Sequence, residues 1–308
     1  MTTTLGHIAV SASFDPTARE GGKLSYLAEA EKLRAADQSG LYQAFTLGIP
    51  ATAPADFQEL CTSLRGMGFP ELRGIIQGVE LCDLSVAEDS LQTLIDSLQI
   101  AVANGVTKVF TVAQEWPAGS RDADFNQDLL PAFVQTVSSA LREVPEILEF
   151  GIEPLIAAEQ QHVNSLAKAR LMARMVNKEL GQNRVFPVPD VAHLFGLVDR
   201  SFWPDITDQL IDAITAGEVP YAHLSIPESR TDQIVQALEA GDVPRRALQA
   251  LRQVPAVDTE GFDPQDQFLG DLRRLVPKFK SADVSGWTQN KRFDRFVAAA
   301  SYFQEFNS

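Results

Sequence analysis

Eight times between residues 7 and 260, a short run of β-branched and other apolar residues gives way to a longer stretch with apolar residues at helical spacing. Alternation of this kind builds βα units and a parallel sheet. The strands are expected at 7–11, 42–47, 73–77, 108–112, 149–153, 185–188, 221–226 and 256–260. Between them, SLQTLIDSLQIAVANG carries Leu91, Leu94, Ile95, Leu98 and Ala101 three and four apart, and Asn104-Gly105 supplies the stop. SYLAEAEKLRAADQSG, PAFVQTVSSALREV, SLAKARLMARMVNKELG, PDITDQLIDAITAG and TDQIVQALEAG read the same way. Several of these end in Gly just before the next strand, as short αβ loops require. Eight such units predict an α/β chain, a (β/α)8 TIM barrel. At 308 residues and 45% hydrophobic content, the chain is long enough to close such a barrel as a single domain over 1–308. Residues 265–308 form a C-terminal helical extension in this reading, with Phe293, Phe296, Val297, Ala300 and Phe303 on one stripe.

Charge and composition narrow the partners. A net charge of −15 repels a phosphate backbone, whereas nucleic-acid binding begins with a basic footprint. No run of about 18 apolar residues is present, so no membrane span is expected. The opening MTTTLGHIAVSAS has no basic segment before an apolar stretch, which reads as a cytoplasmic protein without a signal peptide. Cys61 and Cys82 have neither metal-ligand nor redox-pair spacing and read as small structural hydrophobes. A small molecule remains as the expected partner, with homo-oligomerisation left open.

In a barrel of this kind, catalytic groups sit where strands end and βα loops begin. The fifth strand ends in LEFGIEPL with Glu153, the sixth in VFPVPDVAH with Asp190 and His193, the seventh in YAHLSIPESR with His223, and the eighth in AVDTEGFDP with Glu260. Two Glu, one Asp and one His form a mixed oxygen and nitrogen set suited to one divalent ion such as Mn²⁺, Mg²⁺ or Co²⁺, and thiolates are absent. Taken singly, each residue also has a plain structural reading: a surface charge for either Glu, a helix cap for Asp190, a core or supporting histidine for His193 and a solvated loop charge for Arg230. Their joint arrival at one mouth is what favours function.

I-E-P at the fifth strand, D-x-x-H at the sixth, H-x-x-x-x-E-S-R at the seventh and E-x-F near the eighth give the chain its likeness. In these it resembles the sugar isomerase and epimerase branch of the xylose-isomerase-like superfamily, with ketose 3-epimerases among its members, most strongly from 149 to 264. The resemblance implies Glu153, Asp190, His223 and Glu260 as metal ligands, with Glu153 and Glu260 doubling as the acid/base pair. It implies His193 and Arg230 as substrate contacts. Phe14, Trp116, Phe195 and Trp203, near the expected mouth, are candidates for an apolar wall against a sugar ring. The activity so implied is isomerisation or epimerisation of a ketose or keto-inositol by proton transfer through an enediolate. The same site would also suit a lyase or dehydratase acting on a 3-keto sugar, as in C-glycoside cleavage, and a decayed site would leave a sugar-binding barrel.

Several features depart from that pattern. Pro187 and Pro189 remove ladder donors from the sixth strand, which is expected to be bent or short. Glu149 and Asp258 share strand parity with Glu153 and Glu260 and would point inward, deeper in the barrel, where charge is costly unless paired. The second strand, YQAFTLG, lacks an acidic end residue, and the loop AQEWPAGSRDADF is atypical. His7 is expected to open the first strand at the barrel's opposite end, and His162 to lie in a helical region, so neither is expected to ligate a metal.

Overall fold

The computed structural model describes residues 4–9, 22–37, 40, 42–52, 55–82, 87–112, 124–155, 163–195, 200–224, 242–251 and 253–260. Its strands are β1 (Thr4–Ile8), β2 (Tyr42–Gly48), β3 (Glu71–Ile76), β4 (Lys108–Val112), β5 (Glu149–Glu153), β6 (Val185–Pro187), β7 (Tyr221–Leu224) and β8 (Ala256–Glu260). They form one sheet in the order β6-β5-β4-β3-β2-β1-β8-β7, with each hydrogen-bonded pair parallel. Among the described residues, a single parallel bridge, Asp190 to His223, joins the two outer strands and closes the barrel. Around it lie α1 (Lys23–Ala36), α2 (Ala55–Gly66), α3 (Ala87–Ala103), α4 (Leu130–Glu143), α5 (Leu166–Leu180), α6 (Val191–Phe195), α7 (Trp203–Thr215) and α8 (Asp242–Leu251). This is the expected (β/α)8 architecture. The expected helices over 231–241 and in 265–308, and His162, lie outside the described residues. Among the described residues, no helix is long and apolar enough to cross a membrane.

Local chemistry explains the element ends. Ser165 caps α5 by accepting from the Lys168 amide, and Gly181 takes the left-handed conformation (φ +65°) that ends it. Gly105 does the same after α3, as the Asn104-Gly105 stop predicts. The first strand begins at Thr4 rather than His7: the β-branched and small residues preceding His7 extend into the sheet, with Thr4 opposite Ala256. His7 is therefore not at the far end of the barrel. It points outward to α1, with Nε2 2.7 Å from Glu29 Oε1, and packs among Tyr42 and Phe45. The third strand likewise starts two residues earlier than expected, because the charge of Glu71 is satisfied by Arg73 and Lys108.

Strand six is short, as its prolines predict, and the reason is directional. Successive residues of a strand offer their backbone groups to opposite neighbours. Val188 donates to Ile152 of β5 (2.8 Å), so Pro187 and Pro189 face β7, and the N–H groups they lack are the ones β7 would have used. On that side the Pro189 carbonyl accepts from the His223 amide at 2.9 Å.

Two apolar shells hold the fold. A large one lies between strands and helices and includes Phe45, Phe57, Phe133, Phe150 and Trp203. It also takes in Cys61 and Cys82, both free thiols, and burial pushes the Cys61 thiol up to about 11. A small shell fills the barrel interior with Ile8, Ile75, Phe110, Val188, Tyr221 and Ala256. Beside it, Arg73 pairs with Asp258, both fully buried, and Thr46 Oγ1 donates to the second Asp258 oxygen at 2.6 Å. Gly6 faces this pair, and a Cβ there would fall against the Asp258 carboxylate and the Arg73 guanidinium. Gly6→Ala is expected to destabilise the protein by about 1–3 kcal/mol through overpacking. Chemical denaturation would read this as a lowered midpoint, and an unchanged midpoint would mean that the pair has room to move.

Candidate functional site

The C-terminal ends of β5, β6 and β7 converge on one buried cluster. Glu153 is the last residue of β5 and is 5% exposed; Asp190, at the bridge that closes the barrel, is fully buried. Asp190 immediately precedes α6, and its carbonyl accepts from the Leu194 amide (2.9 Å). One turn of that helix carries His193 back over the cluster. Across the seam, β7 supplies His223, 1% exposed.

Distances tie the four together. His193 Nδ1 lies 3.1 Å from Glu153 Oε1 and 3.6 Å from Asp190 Oδ2, and His223 Nδ1 lies 3.3 Å from Glu153 Oε2. Burial alone would raise the Glu153 carboxyl, but the charge of His223 and the close approach of both imidazoles outweigh it and hold it well below the usual carboxylate range. Burial would lower His223, yet Glu153, with Asp190 and Asp258 behind it, keeps its pKa above the ordinary histidine value.

Donors about 2.1 Å from one shared ion lie about 3.0 Å apart at a right angle and about 4.2 Å apart when opposed. The three distances above fall inside that range. One ligand atom each from Glu153, Asp190 and His193 lies within 4.8 Å of the other two. The site is thus geometrically and chemically able to hold a divalent cation, with carboxylate oxygen and imidazole nitrogen as donors. His193, expected to contact substrate, stands close enough to serve as a ligand as well.

The remaining candidates sit as follows. Glu260 is the last residue of β8, in register with Ile8 of β1; its side chain is outside the described set. Arg230, Trp116 and Phe14 lie outside the described residues. Phe195 and Trp203 meet edge to face at 5.9 Å within the large apolar shell. The two acidic residues that share inward parity are engaged elsewhere: Glu149 with Lys108 (3.5 Å) at the start of its strand, and Asp258 with Arg73. Neither stands among the cluster residues.

Two residues beneath the cluster escaped the sequence reading. Arg73 is fully buried on β3; burial would lower its pKa, but Asp258 and Glu71 hold it above the ordinary value. The parity argument applied to Asp258 would have found it, since Arg73 falls on the same inward face as Ile75. Tyr221, two residues before His223, places its hydroxyl 2.9 Å from His223 Nε2. Burial pushes its phenol well above the ordinary value, helped by Asp258 and Glu153 and opposed by Arg73, so it is a neutral hydroxyl.

No protein-family model matches the chain, and no curated protein matches it. Solved structures do. A D-psicose 3-epimerase from Clostridium cellulolyticum H10, determined with D-tagatose, superposes with a TM-score of 0.61 at 15% identity, covering 99% of each chain. A D-allulose 3-epimerase from Methylomonas sp., in complex with D-allulose, gives 0.63 at 11% identity over 98% of this chain and 97% of that one. A xylose isomerase-like TIM barrel protein from Mycobacterium smegmatis, in complex with magnesium, gives 0.55 at 10% identity over 97% of each. At these identities the likeness is one of fold.

Proposed function

We propose that the chain is a divalent-metal-dependent sugar isomerase or epimerase that acts on a ketose or keto-inositol by proton transfer through an enediolate. The observation that carries this reading is the buried meeting of Glu153, Asp190, His193 and His223 at the strand ends where barrel enzymes place their chemistry. The fold shared with structures named as ketose 3-epimerases supports the same class.

Glu153, Asp190, His223 and Glu260 would hold the ion, and Mn²⁺, Mg²⁺ and Co²⁺ suit this donor set. When bound, it would supply Lewis-acid polarisation of adjacent carbonyl and hydroxyl oxygens on the sugar. The chain's own residues do the rest. A carboxylate oxygen of Glu153 or Glu260 takes the proton from the hydroxyl-bearing carbon next to the carbonyl. Return of a proton by the other carboxyl on the opposite face inverts the centre, whereas a single base working on one face moves the carbonyl instead. His193, beside Glu153, and Arg230 orient the substrate hydroxyls, with Trp116 and Phe195 as the apolar wall.

The test has two arms. Elemental analysis after reconstitution with Mn²⁺, Mg²⁺ or Co²⁺ should find bound metal, and incubation of loaded protein with a panel of ketoses and keto-inositols in deuterated water should show label entering carbon-bound positions by NMR. Metal without exchange, accompanied by elimination products from a 3-keto sugar, would move the assignment to a lyase. Absence of metal binding would leave a sugar-binding barrel.

A further inference from the structure

His223 uses its two ring nitrogens differently. Nδ1 faces Glu153 Oε2 at 3.3 Å, inside the cluster, while Nε2 faces the Tyr221 hydroxyl at 2.9 Å, below it. A histidine that ligates through one nitrogen depends on a partner for the other, which fixes its tautomer and the plane of its ring. Such partners are commonly a carboxylate, a backbone carbonyl or water. Here the partner is a phenol from the same strand, placed on the same face by the two-residue period of β7.

That phenol has little freedom of its own. Tyr221 is 6% exposed; its ring lies 5.6 Å from Phe110, and the Arg73 guanidinium carbon sits 5.5 Å from its centroid. Phe110 also packs edge-on against the His223 ring at 4.4 Å. Arg73 in turn is fixed by Asp258 and by Glu71 (2.8 Å). The hydroxyl is thus located by an aromatic and a cationic contact that are themselves anchored in the barrel interior, and it meets the one His223 nitrogen that points away from the cluster.

We propose that Tyr221 is a positioning residue: its hydroxyl accepts from His223 Nε2–H, holds the imidazole as the tautomer with a free Nδ1 lone pair, and aims that lone pair at the ion site beside Glu153. This rests on the metal-site reading above. A hydroxyl is a weaker acceptor than a carboxylate, so this arrangement orients His223 without adding a further negative charge beneath Glu153 and Asp190.

Tyr221→Phe deletes one oxygen and keeps the ring that packs on Phe110. Calorimetric titration of the metal-free protein with Mn²⁺ should show affinity reduced by about 10- to 100-fold, the usual effect of losing such a partner. Ile75→Val, which loosens the same interior shell without touching the hydrogen bond, should lower the metal-free thermal midpoint and leave Mn²⁺ affinity within about two-fold of the parent. In a His223→Ala background, Tyr221→Phe should cost no further affinity, because a residue acting through His223 has nothing left to act on. Equal Mn²⁺ affinity in parent and Tyr221→Phe overturns the inference, and so does a full additional loss in the His223→Ala background or a loss in Ile75→Val as large as in Tyr221→Phe. If the parent itself takes up no Mn²⁺, the metal-site reading has failed first, which is a separate result from a parent that binds while Tyr221→Phe binds equally well.

Discussion

Glu153→Gln is expected to reduce turnover by about 10²- to 10⁴-fold while leaving part of the metal affinity in place. The amide keeps the volume and one coordinating oxygen but can no longer accept a proton. It also turns a donor group toward imidazoles that now face a carboxylate at 3.1 and 3.3 Å. Exchange of an anionic carboxylate ligand for a neutral amide should show in the same variant as weaker, not absent, metal uptake. Glu260→Gln should lose turnover on the same scale. In a two-base epimerase the pair separates further: the variant lacking only the acid still exchanges the substrate proton with deuterated solvent but fails to invert the centre, and the variant lacking the base does neither. Near-parental rates in both would remove the acid/base assignment altogether, because Glu149 and Asp258, the next carboxylates by parity, are occupied by Lys108 and Arg73.

Removing either member of the Arg73–Asp258 pair is expected to cost about 3–5 kcal/mol of folding stability, since each would leave the other charged, fully buried and without its main partner. Asp258→Asn keeps an acceptor for the Thr46 hydroxyl yet strands the guanidinium. Arg73→Met keeps much of the side-chain length yet strands the carboxylate. Combining the two should recover a substantial part of the loss, because a buried pair contributes far less net stability than its breakage costs. Glu71 tolerates the loss of Arg73 because Lys108 lies 3.3 Å away. Denaturant titrations of the two single variants and the double would settle it: strict additivity of the two losses would show that the charges are not coupled and that a different feature makes each position sensitive.

Much of this was legible in the chain because the periods that encode strands and helices are local. β4, β5 and β8 run over the same residues that the apolar runs predict. β3 and β1 start earlier, and at β3 the reason is instructive: Glu71 looks like a loop residue until Arg73 and Lys108 are brought to it by neighbouring positions in the sheet. The same distinction runs through the site. Glu153, Asp190, His193 and His223 could be named as one group because each stands at the end of an apolar run. Which imidazole nitrogen meets which carboxylate could not be read, since that depends on the register between β5 and β7, strands that touch only through β6. Parity alone would have turned Arg73 inward, but its pairing stays hidden until Asp258, on another strand, is known, and Tyr221 looks like packing until the ring of His223, two residues on, is oriented.

The proline-bearing side of β6 gives the barrel a property that its other seven junctions do not share. Among the described residues, those junctions are laced by several residue pairs each, whereas β6 and β7 meet at one bridge, Asp190 to His223. Glu153, Asp190 and His193 stand on one side of that gap and His223 on the other. A cation shared among them would act as a clasp, fastening the ring where its own backbone stitching is thinnest. Loading the site and completing the circle would then be mechanically one event.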